Sequence, residues 1–264
     1  MSDFRIALIG AGNLGWNLAA ALEDSPHQIV QVFSRHPESA QRIADEFTGI
    51  AACDHPSELD KTVDIVIIAS SDHGIAGIAK TYAPYKGENS VFAHTSGSIS
   101  LKALEPFGEN IGVFYPMQTF TKGHRANFAE IPFFLEGNEA VIAKLRPLAT
   151  FLSWRVSIMD SESRLRLHLG AVFASNFTNF MWLMAESSSQ EAGQDGLSVY
   201  APLIKECMEK ALRYGPTAAQ TGPARRGDMI TMKKHIGLLV DKDADGAELY
   251  QQLSEMIEKR FSEE

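Results

Sequence analysis

The stretch Phe4-Arg5-Ile6-Ala7-Leu8-Ile9-Gly10-Ala11-Gly12-Asn13-Leu14-Gly15 decides how the chain is read. Ile6 to Ile9 is a short continuous apolar run, the pattern of a strand buried on both faces. It passes directly into Gly-x-Gly-x-x-Gly, and each glycine has a mechanical use. Gly10 permits a tight exit from the strand, Gly12 leaves bare backbone against which a diphosphate can lie, and Gly15 lets the next helix sit close to the sheet. The orphan N–H groups at that helix's start then face an anion. The whole turn, Gly10, Ala11, Gly12, Asn13, Leu14 and Gly15, is therefore expected to bind a dinucleotide.

A glycine turn alone is a weak signal, and its surroundings strengthen it. Leu14, Leu18, Ala21 and Leu22 follow the i, i+4, i+7, i+8 spacing of a helix packed on a sheet, and Ile29 to Phe33 is a second β-rich run. Strand, glycine turn, helix and strand in that order predict a doubly wound, mostly parallel α/β sheet.

After the second strand stand Ser34-Arg35-His36-Pro37. A site for NAD usually places a carboxylate here to hold the ribose 2'-hydroxyl. A hydroxyl and a guanidinium would instead bind a 2'-phosphate, so Ser34 and Arg35 predict NADP. Arg35 as a solvated charge before a helix is the plainer alternative. Pro37 opens a helix with Ala40, Ile43, Ala44 and Phe47 on one face, ending near Gly49.

Asp64 to Ala69 reads as a central parallel strand. Ligands lie beyond the carboxyl ends of such strands, which makes Ser70 and Ser71 candidate cofactor contacts; a helix cap is an equal reading for Asp72. Ser90 to His94 is the next strand, ending in Thr95-Ser96-Gly97-Ser98, where Thr95, Ser96 and Gly97 form either a wall beside the redox ring or a plain turn. Strands are also predicted at Ile111 to Phe114, Ile131 to Leu135 and Trp154 to Met159, with a helix over Glu139 to Leu152.

From Ser161 the alternation gives way to helical periodicity, which predicts a Rossmann domain over 1–160 and an all-α domain over 161–264. Leu165, Leu169, Val172, Phe173, Phe180 and Leu183 form an apolar stripe that includes Asn176; His168, Ser175 and Asn179 form a neighbouring one. Buried there, Asn176 would be a structural hydrogen-bonder or a ligand group. A helix from Tyr200 to Tyr214 would turn Leu203, Ile204, Cys207, Ala211 and Leu212 inward. Asp228, Thr231 and His235 share a helix face and could position a substrate or cap the helix. Asp241 to Gly246 begins like a calcium loop, but position twelve is Gln252, so a capping box of Asp245 with Glu248 is the better reading.

The net charge of -9 argues against nucleic acid or an anionic membrane as partner. Cys53 and Cys207 have no metal-ligand spacing, so no metal site is expected and a reducing cytoplasm fits. No secretory signal is expected ahead of the first strand, and Leu167 to Ala185 is too polar to span a bilayer.

Through Gly10 to Gly15, His94-Thr95-Ser96-Gly97, Arg164 to Asn179, and Thr221-Gly222-Pro223 through Arg226-Gly227-Asp228 to His235, the sequence resembles Rossmann-fold NADP oxidoreductases related to deazaflavin-dependent NADP reductases. More closely, it resembles their subgroup with a helical C-terminal domain of uncharacterised function, in the 6-phosphogluconate dehydrogenase-like superfamily. The resemblance implies hydride transfer between NADP(H) and a small carbonyl or imine substrate in an interdomain cleft, and a homodimer formed through the C-terminal helices. Several wider relatives carry a Lys and an Asn one turn apart on the first long helix after the Rossmann domain. Asn176 matches the Asn, but Val172 stands in the lysine's place, leaving His168 or His235 as the proton carrier by chemistry. The family often has His where this chain has Tyr115. The alternatives are a non-catalytic NADP-binding sensor or scaffold, or hydride exchange with a flavin or deazaflavin.

Overall fold

The computed structural model describes residues 3–262; positions 1–2 and 263–264 of the expected domain spans lie outside it. Among the described residues one sheet contains eight strands: β1 (Arg5–Ile9), β2 (Gln28–Phe33), β3 (Ala51–Cys53), β4 (Ile65–Ile68), β5 (Val91–His94), β6 (Ile111–Pro116), β7 (Phe133–Gly137) and β8 (Val156–Ile158). Their order is β3-β2-β1-β4-β5-β6-β7-β8. Neighbours run parallel except β6 and β7, which are antiparallel.

Alternation along the strands divides the core. Ile6, Leu8, Ile65 and Ile67 point to the face covered by α1 (Asn13–Leu22), α2 (Pro37–Glu46) and, further along, α4 (Glu139–Leu152). Ala7, Ile9, Val66 and Ile68 point to the other, against Ile75 and Ala79 of α3 (Asp72–Tyr82) and Leu104 and Phe107 of a 3-10 segment. Burial on both faces is why β4 reads Ile-Val-Ile-Ile with no polar position. Each such side chain contributes roughly 1.5–3 kcal/mol. The chain leaves β1 for β2 on one side and returns to β4 on the other, so the strand order reverses at β1, and a crevice opens beyond its carboxyl end.

Three strand readings shift. β3 carries no apolar run, being Ala-Ala-Cys, and its pairing to β2 makes it a strand. The strand expected from Ile131 begins at Phe133, because Ile131 N–H donates to Phe128 O and closes a 3-10 turn. The last strand keeps only Val156–Ile158, at the edge of the sheet.

The chain packs as two compact units, 1–173 and 174–264. α5 (Ser161–Ala171) lies in the first, where buried Arg164 engages β7. The second contains α6 (Thr178–Glu191), α7 (Ala201–Tyr214), α8 (Pro216–Ala219), α9 (Met229–Leu239) and α10 (Ala244–Phe261). Within it the Ser189 hydroxyl, 1% exposed, donates to Gly196 O at 2.8 Å and ties α6 to the loop that follows. α10 begins one cap earlier than expected: Asp243, not Asp245, accepts from the Gly246 N–H at 2.9 Å, and Glu248 accepts from Gln252 instead. The cap falls at Asp243 because its carboxylate reaches the N3 amide.

The apolar stripes expected to be inward are not covered. Leu165, Leu169, Phe180 and Leu183 are 48–57% exposed, and Leu203 and Leu212 of α7 are 66% and 82% exposed. Helical periodicity identifies an apolar face without saying what covers it. Among the described residues no helix is long and apolar enough to cross a membrane.

Candidate functional site

The glycine turn is built by three different constraints. Gly10 has φ of +125°, and a Cβ there would lie 2.2 Å from Ala69 O, because the turn is wedged beside the end of β4. Its N–H donates to Phe33 O at the end of β2. A Cβ on Gly15 would lie 2.1 Å from Gly10 O, so the turn and α1 meet backbone to backbone. At Gly12 a Cβ would meet nothing within 4 Å. The protein itself requires Gly10 and Gly15, whereas Gly12 is bare on the open side. It is the N-cap of α1 without a side-chain cap, so the helix presents unsatisfied backbone donors there. Asn13 and Leu14 hold the turn from behind. Asn13 Oδ1 accepts from Lys122 N–H at 3.3 Å, tying a loop onto α1, and Leu14 packs on the core.

In front of the turn lies a cavity of about 320 Å³, lined by Gly10, Ala11, Gly12, Ser34, Arg35, His36, Ser39, Ser70 and Ser71 among others, with no carboxylate in its wall. Ser34 Oγ accepts from His36 N–H at 3.1 Å and rounds the chain into α2. A second cavity of about 360 Å³ shares Ser34, Arg35 and Ser70 and adds Asp54 and His73. Tyr82 lines both, and burial pushes its hydroxyl up to about 12, so it presents a neutral phenol. Sequence reasoning missed His36 and Ser39. Pro37 at the first helical position was the signal, since it places His36 at the cap and Ser39 in the first turn.

Further along the same carboxyl edge, the end of β5 forms a second group. The Thr95 hydroxyl donates to Ile68 O at 3.2 Å. Ser96 Oγ accepts from the N–H groups of Ser98 and Ile99 at 3.1 and 3.0 Å, so its side chain shapes the turn. Ser98 Oγ donates to Asp72, which here joins α3 to this turn, while Ser71 sits at the N-cap without a side-chain cap bond. Gly97 is buried under two rings: a Cβ would fall 2.6 Å from His168 Nδ1 and 2.7 Å from Tyr115 Cζ. Tyr115 Oη and His168 Nδ1 are 3.2 Å apart.

Beneath this group lies an ion pair. Arg164, 1% exposed, donates to the Glu136 carboxylate and to Ile99 O at 2.5 Å; the Ser161 hydroxyl also donates to Glu136. His94 is fully buried nearby and accepts from Ser96 N–H on Nδ1 at 3.2 Å. Burial first, and the Arg164 charge second, lower its pKa to about 4.

His168 is thus held against Gly97 in the first unit. Asn176 and His235 belong to the second. Asn176 lies in a π-helical segment, Val172–Phe177, and is exposed. Asp228 caps α9, accepting from Thr231 N–H and hydroxyl at 3.0 and 2.7 Å, so the first two members of that row form the helix cap. His235 Nδ1 lies 2.8 Å from Tyr250 Oη across α9 and α10. Among the described residues no group of three or more His, Cys, Asp or Glu could hold a metal ion.

Residues 4–88 match the model of the oxidoreductase family with an NAD-binding Rossmann fold, and residues 131–257 match that of a domain of unknown function, DUF2520. No curated protein matches the chain. Among solved structures, the "putative NADP oxidoreductase BF3122" from Bacteroides fragilis is 39% identical, with 97% of this chain and 98% of that one covered and a TM-score of 0.89. An imine reductase variant from Myxococcus stipitatus in complex with NAD+ is 16% identical over 98% of this chain and 99% of that one, with a TM-score of 0.62. A reductive aminase from Aspergillus terreus in complex with NADPH and ethyl-5-oxohexanoate is 13% identical over 99% and 95%, with a TM-score of 0.71. The last two share the fold. With a glycine turn at the switch point of its sheet and a helical C-terminal region, the chain belongs to the Rossmann NAD(P)-binding oxidoreductase-like proteins that carry the DUF2520 helical domain.

Proposed function

We propose that this protein is a cytoplasmic NADP-dependent oxidoreductase that transfers hydride between NADP(H) and a small carbonyl or imine substrate. The observation that carries the reading is the cavity before Gly12, whose rim holds Ser34, Arg35, His36 and Ser39 and no carboxylate. That donor set fits a dinucleotide with a 2'-phosphate: Gly12 leaves room for the diphosphate, and Arg35 and Ser34 hold the extra phosphate. When bound, NADPH supplies the hydride, and the protein supplies orientation and charge stabilisation. His168 exchanges the proton with the substrate heteroatom. The BF3122 relative and the imine-reducing neighbours support this chemistry by likeness.

Titration with NADPH and NADH tests the first part. NADPH is expected to bind at least tenfold more tightly, and Arg35→Ala to remove about 1.5–3 kcal/mol of NADPH affinity while leaving NADH unchanged. Equal binding of both by the unaltered protein refutes the 2'-phosphate assignment. A screen of carbonyls and imines, with flavin and deazaflavin as further acceptors, follows NADPH absorbance in the wild type and in His168→Gln, Asn176→Ala and His235→Gln variants. Val172, in the place of the lysine of wider relatives, favours a second reading, an NADP-binding sensor; tight binding with no turnover in that screen selects it. As macromolecular partner we propose a second copy of the chain, supported by the exposed Leu165, Leu169, Phe180 and Leu183, and checked by sedimentation of the purified protein.

A further inference from the structure

We propose that Tyr115 is a positioning residue for His168: its hydroxyl donates to Nδ1, fixes the imidazole with its proton on Nε2, and refills Nδ1 as Nε2 gives its proton to the substrate. The inference rests on the oxidoreductase reading above for its chemistry, and on the first unit alone for its geometry.

Three observations converge on this pair. Tyr115 Oη lies 3.2 Å from His168 Nδ1, with the rings edge to face at 73°. Gly97 is what lets them meet there, since any side chain would strike both rings. Both stand where β5 and β6 end, the edge of the sheet that carries the glycine turn.

The direction of the hydrogen bond follows from chemistry. A phenol proton is far more acidic than that of a neutral imidazole, so between the two the hydroxyl is the donor. Tyr115 is 8% exposed, and its pKa is raised by burial first and by the Asp72 carboxylate, while Arg164 opposes the rise. The phenol is therefore neutral at rest and needs an acceptor; His168 Nδ1 is the acceptor at hand. Fixed this way, the imidazole can bear its N–H only on Nε2.

The step balances. Held by the glycine turn, NADPH would supply the hydride, and with it the two electrons, to the carbonyl or imine carbon. The C=O or C=N π pair moves to the heteroatom, which takes the proton from His168 Nε2. Tyr115 passes its proton to Nδ1, so the imidazole remains neutral and the transient phenolate sits near the Arg164 charge; water then protonates Nε2 and Nδ1 returns its proton to the phenolate, which restores both groups with one proton drawn from solvent per turnover. Alone, a neutral imidazole is a poor acid. The tyrosine makes it usable.

Tyr115→Phe removes one oxygen and keeps the ring over Gly97, so it is the informative variant. Imidazole ¹⁵N NMR above neutral pH, with the His168 signals assigned from His168→Gln, reads the tautomer without any substrate. The wild type is expected to show Nδ1 unprotonated and Nε2 protonated, and Tyr115→Phe to move both resonances toward a tautomer mixture. With a substrate from the screen, Tyr115→Phe is expected to lower kcat about 10²-fold with KM for NADPH unchanged. A wild-type signal with Nδ1 protonated, tautomer signals unmoved in Tyr115→Phe, or an unchanged kcat overturns the proposal. The NMR result stands whether or not turnover is found, so a failure of the oxidoreductase reading is separable from a failure of this one.

Discussion

His94 makes a quantitative prediction about acid stability. It is fully buried at the end of β5, and its pKa falls from 6.5 to about 4, because burial penalises the imidazolium and Arg164 adds a like charge. Its Nδ1 is already an acceptor for Ser96 N–H, so the ring has no use for a second proton in the folded state. In the unfolded chain the same ring takes a proton near 6.5. Between about 6.5 and about 4 the unfolded state therefore binds more protons, and stability rises with pH across that window. Below 6.5 the stability is lost as pH falls, at up to about 1.4 kcal/mol per pH unit. Over the whole interval that amounts to about 3 kcal/mol. The perturbation is His94→Asn, whose Oδ1 can take over the acceptor role of Nδ1 but does not titrate. Its unfolding free energy, from urea titrations at half-unit steps between pH 4 and 8, is expected to sit below the wild type near neutrality because volume is lost. The gap should close, and reverse if large enough, as pH approaches 4. His27 is also buried and pushed down, and it contributes the same sign in both proteins, so the difference between the two curves isolates His94. Parallel curves through the window would show that His94 does not stay neutral and unpaired in the fold.

The glycines separate stability from binding. Gly12→Ala, which meets nothing within 4 Å and has ordinary negative φ, is expected to leave the melting temperature within about 2 °C while weakening NADPH at least tenfold, whereas Gly15→Ala, with Gly10 O at 2.1 Å, should lose roughly 1–3 kcal/mol of stability before any ligand is added. Glu136→Ala strands the buried Arg164 guanidinium and should cost about 3–5 kcal/mol in denaturant unfolding. Adding Arg164→Met to it should recover much of the loss, and no recovery would mean that the pair anchors α5 through shape rather than charge.

The chain sequence alone determined what depends on neighbours in sequence. Ile6 to Ile9 had to be a buried strand, Gly10 and Gly15 marked a turn that no side chain tolerates, and Ser34-Arg35 stood where a carboxylate was missing; each follows from residue type and spacing within one βαβ unit. Helix α4 was legible in full for the same reason, its periodicity being unbroken from Glu139 to Leu152. β3 was not, since three residues of Ala-Ala-Cys acquire strand character only by pairing with β2. The α6 and α7 faces were legible as apolar but not as uncovered, because periodicity fixes the direction of a side chain and not what lies beyond it. What only the tertiary structure decided are the encounters between distant residues. Tyr115 and His168 are 53 positions apart, and Arg164 reaches Glu136 across 28. A sequence names the groups able to share a proton or a charge, whereas the strand order that carries β5, β6 and β7 side by side decides which of them meet, and a pKa or a tautomer exists only once they have met.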